Sequence, residues 1–392
     1  MRLDRFLFIV ALAMLAMPAI VGGDGALFPF IGPKVRYAYA VTALVVTGVA
    51  WLAWRRPAFR LPSSPLLWAL GVQAVIVLVS TAAAVDPSRA WWGTVERMMG
   101  ASTLLAFSAW AVAAACLVRT RARWDALALA TVVSVVLVTP IGCWAVGMPS
   151  FRFSGAYGNP SYVAEAQVLL IAVSALLAWR RRVALVGVAV GLFVLGMAGT
   201  RGAMVGLGVG AAVALFIGRP SAWFALWGAV PVAAVAAFIG QNFDSLGFRW
   251  NLWRHAWRAI WQYPILGWGP DSFGLLFAST LQLGQMAIDR YDQAHNVLID
   301  TGATTGLRGL LAHVAVWVGF SLTLRLAYRR GALARAEAAM LAGAGVAIET
   351  SRLVLFDHPT GALSVAILFA LTMSAGRGFS PAPERTRRCQ PV

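Results

Sequence analysis

Val35-Arg36-Tyr37-Ala38-Tyr39-Ala40-Val41-Thr42-Ala43-Leu44-Val45-Val46-Thr47-Gly48-Val49-Ala50-Trp51-Leu52-Ala53-Trp54 carries one charge, at Arg36, and runs directly into Arg55-Arg56. A helix needs about 20 mainly apolar residues to cross the roughly 30 Å hydrocarbon layer of a bilayer. The stretch meets that requirement and ends on cations, which favour the cytoplasmic side. Comparable runs occupy 6–22, 66–84, 98–118, 125–147, 162–179, 183–199, 203–218, 221–239, 297–327, 333–354 and 360–376. The chain therefore reads as an all-α polytopic membrane protein of about 12 transmembrane helices. Its 392 residues form a single transmembrane domain, with the 241–296 loop inserted between spans 9 and 10.

Composition agrees. Hydrophobic residues make up 60% of the chain and charged residues 12%. Soluble domains have roughly 45–50% apolar and about 25% charged residues. A soluble core of this size has no room for that much apolar surface. The net charge of +17 does not indicate nucleic acid, because the cations are distributed between apolar runs. With the N-terminus inside, Arg2, Arg5, Arg55, Arg56, Arg60, the Arg119–Arg123 and Arg180–Arg182 groups, Arg219, the arginines at 325–335 and those at 377–388 fall on the cytoplasmic side. The N- and C-termini are both cytoplasmic on this reading. The run 6–22 is a retained first helix rather than a cleaved signal peptide, since it lacks a clear small-x-small site. Cys116, Cys143 and Cys389 form neither a disulfide framework nor a metal spacing.

Cations in the short outer segments run against the same tendency and are candidates for function. Arg152-Phe153-Ser154-Gly155-Ala156-Tyr157-Gly158-Asn159-Pro160 is a shaped turn before a helix, and Arg152 and Asn159 are substrate-binding candidates. Thr200-Arg201-Gly202 closes a tight helical hairpin; Arg201 is expected to face inward, toward Glu165 or a phosphorylated ligand. Residues 241–296 are too long for an ordinary connection and are rich in Trp, Arg and Gly. There Trp250, Trp253, Trp257 and Trp261 recur at helical spacing beside Arg254 and Arg258, a pattern suited to a helix on the membrane surface. Arg249 opens that helix. The Pro264-Ile265-Leu266-Gly267-Trp268-Gly269 turn would let backbone approach a ligand closely. At the end of the loop stands Ala294-His295-Asn296, whose imidazole can serve as a base toward a hydroxyl. An Asp-x-Asp pair, a His/Cys/carboxylate cluster, a Walker-type loop and a Gly-x-Ser-x-Gly elbow are all missing. The expectation is that no metal or other cofactor is used.

The order Arg152-x-x-Gly155…Asn159-Pro160, Thr200-Arg201-Gly202, Arg249-x-x-x-Trp253-x-x-Ala256, Pro264-x-x-Gly267-x-Gly269-x-x-x-Phe273 and His295-Asn296, with Gly302 and Gly306-Leu307 after it, resembles the O-antigen ligase and polymerase family. Asp86…Arg97-x-x-Gly100 resembles that family's second outer loop. The resemblance covers most of the chain. It implies a metal-independent inverting glycosyltransferase of GT-C-like architecture in a bacterial inner membrane, with a periplasmic site and a long periplasmic loop carrying amphipathic helices. The donor would be a glycan linked to undecaprenyl diphosphate, and the acceptor a sugar hydroxyl of lipid A–core. A polymerase with a lipid-linked acceptor is the first alternative; a transporter of an anionic solute is the second. Carried over, His295 is the base or orients the acceptor hydroxyl, and Arg201 and Arg249 bind and stabilise the leaving diphosphate. Arg152 helps hold the donor, with Asn159, Arg254, Asn296 and Glu165 as further substrate contacts. Membrane lipids are expected partners and nucleic acid is not.

Overall fold

The computed structural model describes residues 3–22, 28–56, 59, 61–146, 152–178, 180–218, 243–280 and 291–379. Every regular element among them is helical. In chain order the α-helices are α1 (Leu3–Ala13), α2 (Gly32–Arg55), α3 (Pro65–Ala82), α4 (Pro87–Trp92), α5 (Ala101–Leu117), α6 (Arg121–Val146) and α7 (Pro160–Ala178). They continue with α8 (Leu185–Ala198), α9 (Arg201–Gly218), α10 (Phe243–Ile260), α11 (Phe273–Thr280), α12 (Val297–Arg329), α13 (Arg335–Arg352) and α14 (Pro359–Gly376). Seven helices among the described residues are long and apolar enough to cross a membrane: α2, α3, α6, α7, α9, α12 and α14. The apolar stretches of α5 and α8 are shorter. The expected span 221–239 lies outside the described residues.

Two expected spans differ in form. The first, 6–22, is a short α1 followed by a 3-10 turn, Met14–Ala19, that contains Pro18; proline has no N–H to extend the α-ladder. The stretch 333–354 does form a helix, α13, but Arg335, Glu337, Glu349 and Arg352 make it polar. Glu337, Glu349 and Arg352 are paired inside the protein, whereas Arg335 is exposed. Glu337, 2% exposed, accepts from Arg121 and lies 2.8 Å from Arg180.

α9 and α13 meet along small residues. A methyl group on Gly206 would fall on Ala347 O and Ser351 Oγ, and one on Gly210 would fall on Gly343 O. This four-residue spacing of small side chains lets helix backbones touch in a membrane, where lipid supplies no hydrophobic drive for association.

The loops sort onto two ends of the bundle. At one end Arg123 pairs with Asp4 at 2.8 Å, Arg335 donates to Ile217 O, and Arg377 donates to Ala115 O and Val118 O. At the other end Arg89 donates to Asp271 O, Arg97 bonds Asp292 and Tyr162, Arg152 bonds Thr200, and Gln293 donates to Asp357 O. Segments 86–100, 152–160, 199–201, 249–280, 291–296 and 352–358 therefore share one end, hereafter the arginine end. Every candidate site residue lies in or beside them.

A break in α12 holds the long loop in place. Gly306, at φ 71 and ψ −175, interrupts the helix. The carbonyls of Ala303 and Thr304 would normally accept from residues 307 and 308. They accept instead from Trp268 N (3.1 Å) and Gly269 N (2.7 Å), while Leu307 N donates to Pro264 O (2.8 Å). A Cβ on Gly267 would fall on Thr304, and one on Gly306 on Ile265. The 264–269 turn supplies the rungs that α12 lacks. Gly267 admits the α12 backbone and Gly269 the side chains of Ala84 and Ala90, where the sequence led us to expect a ligand.

Candidate functional site

Residues 291–297 fix a histidine at the start of α12. Ala294 is held on both sides: its N–H donates to Asp300 Oδ1 (3.0 Å) and its carbonyl accepts from the Trp253 indole (3.0 Å). The Asn296 side chain caps α12 by accepting from Leu298 N and Ile299 N at 3.0 and 3.1 Å. Between these fixtures His295 takes φ 51, a left-handed conformation uncommon outside glycine that recurs at functional positions. The half-buried ring meets Phe356 edge-on, centroids 5.0 Å apart.

Burial pushes the imidazole pKa down to about 4; the positive charge of Arg249 lowers it further, Asp292 opposes this, and Arg97 adds to the lowering. The ring is neutral at pH 7, with a nitrogen lone pair available to take a proton. Arg249 is itself half-buried, and its guanidinium pKa is lowered by that burial. Among the described residues no ion pair holds it. A cation removed from water without a partner is costly until an anion arrives.

Arg97 has the opposite character. It bonds both oxygens of Asp292 and the Tyr162 hydroxyl, and stacks 4.1 Å from the Phe356 ring. It ties segment 291–297 to α7 and to the loop before α14. That loop is fixed in turn by Arg352, bidentate on Asp357 at 2.8 Å twice and bonded to Glu349 at 3.2 Å. His358 stacks on Tyr162 at 3.8 Å. Its Nδ1 accepts from Gly361 N, which directs an Nε2 proton toward Glu165 Oε2 at 2.6 Å.

His295 and Arg249 are brought together, and Arg254 lies one helical turn from Arg249 on α10, exposed. α10 divides as its sequence suggests: Leu252, Ala256 and Ile260 are buried, whereas Trp250, Trp257 and Trp261 are 65%, 57% and 59% exposed. Arg201 is exposed at the first position of α9 instead of facing inward; Gly202 and Ala203 occupy the packed face, Gly202 against Val354 and Leu355. The expected Arg201–Glu165 pairing is not formed. Glu165 is 1% exposed, with Oε2 on His358 and Oε1 unpartnered, and a carboxylate so enclosed cannot meet substrate directly.

Arg152 also has a structural task. It donates to Ala198 O (2.8 Å), Gly199 O (3.1 Å) and Thr200 Oγ1 (2.8 Å), capping the C-terminus of α8 and setting its charge beside the Arg201 turn. Asn159 accepts from Ser161 N at 2.8 Å at the start of α7, so it and Asn296 act as helix caps. Among the described residues no group of three or more His, Cys, Asp or Glu side chains could hold a metal ion.

Residues 167–314 match the family model for O-antigen ligase. The matched stretch takes in Arg201, Arg249 and His295, while Arg97, Arg152 and the 352–358 loop lie outside it. Nothing among the curated proteins matches the chain.

The parts of the site that the sequence reading missed are Asp292, Tyr162, Phe356 and Asp357. One signal was available: Asp357-His358-Pro359 has the pattern of a helix start, as Asn296-Val297 does, and it places polar side chains where a span meets its loop.

Proposed function

We propose that this protein is an O-antigen ligase-type glycosyltransferase of GT-C-like architecture. It would move a glycan from undecaprenyl diphosphate to a sugar hydroxyl of lipid A–core at the periplasmic face of a bacterial inner membrane. The observation that carries the reading is the adjacency of a neutral imidazole at His295 to the half-buried Arg249, which no described residue pairs. The match to the O-antigen ligase family model over 167–314 supports the same chemistry. His295 takes the proton of the acceptor hydroxyl, and the freed oxygen attacks the anomeric carbon. The bond from that carbon to the diphosphate breaks, and charge accumulates on the leaving oxygen. Arg249 faces that oxygen in a partly desolvated site, where a fixed cation stabilises a transition state most. Arg201 and Arg152 add positive charge along the donor's path. The donor's own bond supplies the driving force.

A polymerase would run the same steps on a lipid-linked acceptor. Glycolipids from a strain lacking this chain separate the two. A ligase defect leaves long glycans on the isoprenoid carrier and none on lipid A; single units on lipid A would establish polymerase instead. Unchanged glycolipids would overturn both.

A further inference from the structure

On the far side of the 352–358 loop from Arg201 lies a cleft between α3, α5, α12 and α14. Its upper part, about 90 Å³, is lined by Gln73, Asp271, Gln293, Asp300, Thr301 and Asp357. Its lower part, about 100 Å³, is lined by Leu70, Ala74, Phe107, Val316, Trp317 and Phe369. The two share Gln73, Val77, Met99, Leu104, His313 and Arg352, so they form one space, polar above and mainly apolar below. Since a water's share of liquid volume is about 30 Å³, each part exceeds the room for one trapped water.

Two polar groups in the walls lack partners. Asp271, 6% exposed, uses Oδ2 to accept from Thr94 N, Thr94 Oγ1 and Met99 N, while Oδ1 is buried with no hydrogen bond. Gln73 sits midway along the apolar helix α3, and among the described residues its amide has no hydrogen-bond partner. Each such group inside a membrane protein costs free energy until something bonds it. The walls narrow the ligand. Asp271, Asp300 and Asp357 line the upper part. Asp357 is taken up by Arg352 and Asp300 by Ala294 N, which leaves Asp271 Oδ1 as the open acceptor. Such an oxygen accepts from a hydroxyl and offers a diphosphate no donor.

We propose that this cleft seats the acceptor: a glycolipid whose sugar hydroxyls bond Asp271, Gln293 and Gln73, and whose hydrocarbon chain lies between Leu70, Phe107, Trp317 and Phe369. The inference rests on the glycosyl-transfer reading above. It divides the substrates by charge. The diphosphate donor meets the arginines, the hydroxyl-bearing acceptor meets the carboxylates, and His295 stands between them, two residues from Gln293 and against Phe356.

The test uses full-length protein in lipid nanodiscs, with Gln73→Leu, which removes the amide, and Ala74→Phe, which fills the lower part. With donor and acceptor varied separately, both variants should raise acceptor KM about tenfold, the equivalent of one lost hydrogen bond. Donor KM should stay within about twofold. Lipid A–core and undecaprenyl-diphosphate glycan are offered as acceptors in separate arms, and the one that wild-type protein uses identifies the source. A rise in donor KM alone would assign the cleft to the donor's isoprenoid, and no change in either KM would remove it from substrate binding; both results overturn the proposal. Should wild-type protein transfer to neither acceptor, the functional reading fails. Native mass spectrometry of bound lipid A–core then judges the cleft by itself: weaker binding to both variants supports it, and equal binding overturns it.

Discussion

At His295 the backbone is committed before the side chain acts: Asp300 and Trp253 hold Ala294, Asn296 caps the helix, and the ring is left at φ 51 against Phe356. His295→Ala should lower transfer by about 10²- to 10⁴-fold, the range for a lost general base. Arg249→Lys should lower it about 10²-fold, because an ammonium cannot reproduce the bidentate grip on phosphate. Both are read as turnover of inserted protein, and wild-type rates would refute the assignments. The pH profile is a separate check. The imidazole titrates at about 4 instead of near 6.5, so the free enzyme's base stays unprotonated well into acid. kcat/KM should hold steady from pH 8 down to about 5 and fall as pH nears 4. An acid limb near 6.5 would mean a ring free of burial and of Arg249. Arg249 and His295 were legible in the sequence because a cation in an outer segment and a histidine at a loop's end are conspicuous. Arg97–Asp292 and Glu165–His358 were not, since their members stand 195 and 193 residues apart and nothing local to either announces the other. That is also why Glu165, an acid just inside its span, was offered as a partner for Arg201.

The same contrast holds for whole elements. Tryptophans at helical spacing were enough to foresee α10 and its exposed aromatic face, although Trp253 turns inward to bond Ala294 O. The glycines of 264–269 were noticed but assigned to a ligand, since sequence shows that backbone comes close without showing whose backbone. Gly306→Ala tests the actual role. Its φ of 71 strains any side chain, and the added methyl meets Ile265. About 1–3 kcal/mol of strain should appear as a lowered Tm in detergent, with more backbone clash besides. An unchanged Tm would show that the turn and the helix are not mutually dependent.

For the molecule as a whole, the distribution of arginines was the most informative feature of the sequence. It separated the loops into two sets, and the structure places members of each set in contact with one another. The number of crossings was harder to read. α13 is charged yet packed, because Glu337, Glu349 and Arg352 are paired inside the protein, and hydrophobicity alone does not report pairing. If the arginine end faces the periplasm, cysteines introduced at Ser88 and at Trp257 should react with an impermeant maleimide in intact cells, and one at Arg335 only after lysis. The reverse pattern would invert the protein in the bilayer.

The repair of α12 by residues 264–269 also bears on assembly. During synthesis the turn emerges about thirty residues before the helix it completes. Until Ala303 and Thr304 arrive, the N–H groups of Trp268 and Gly269 have no carbonyls to bond. The turn therefore stays provisional until α12 is threaded and bent at Gly306, and the arginine end matures late, as a product of insertion.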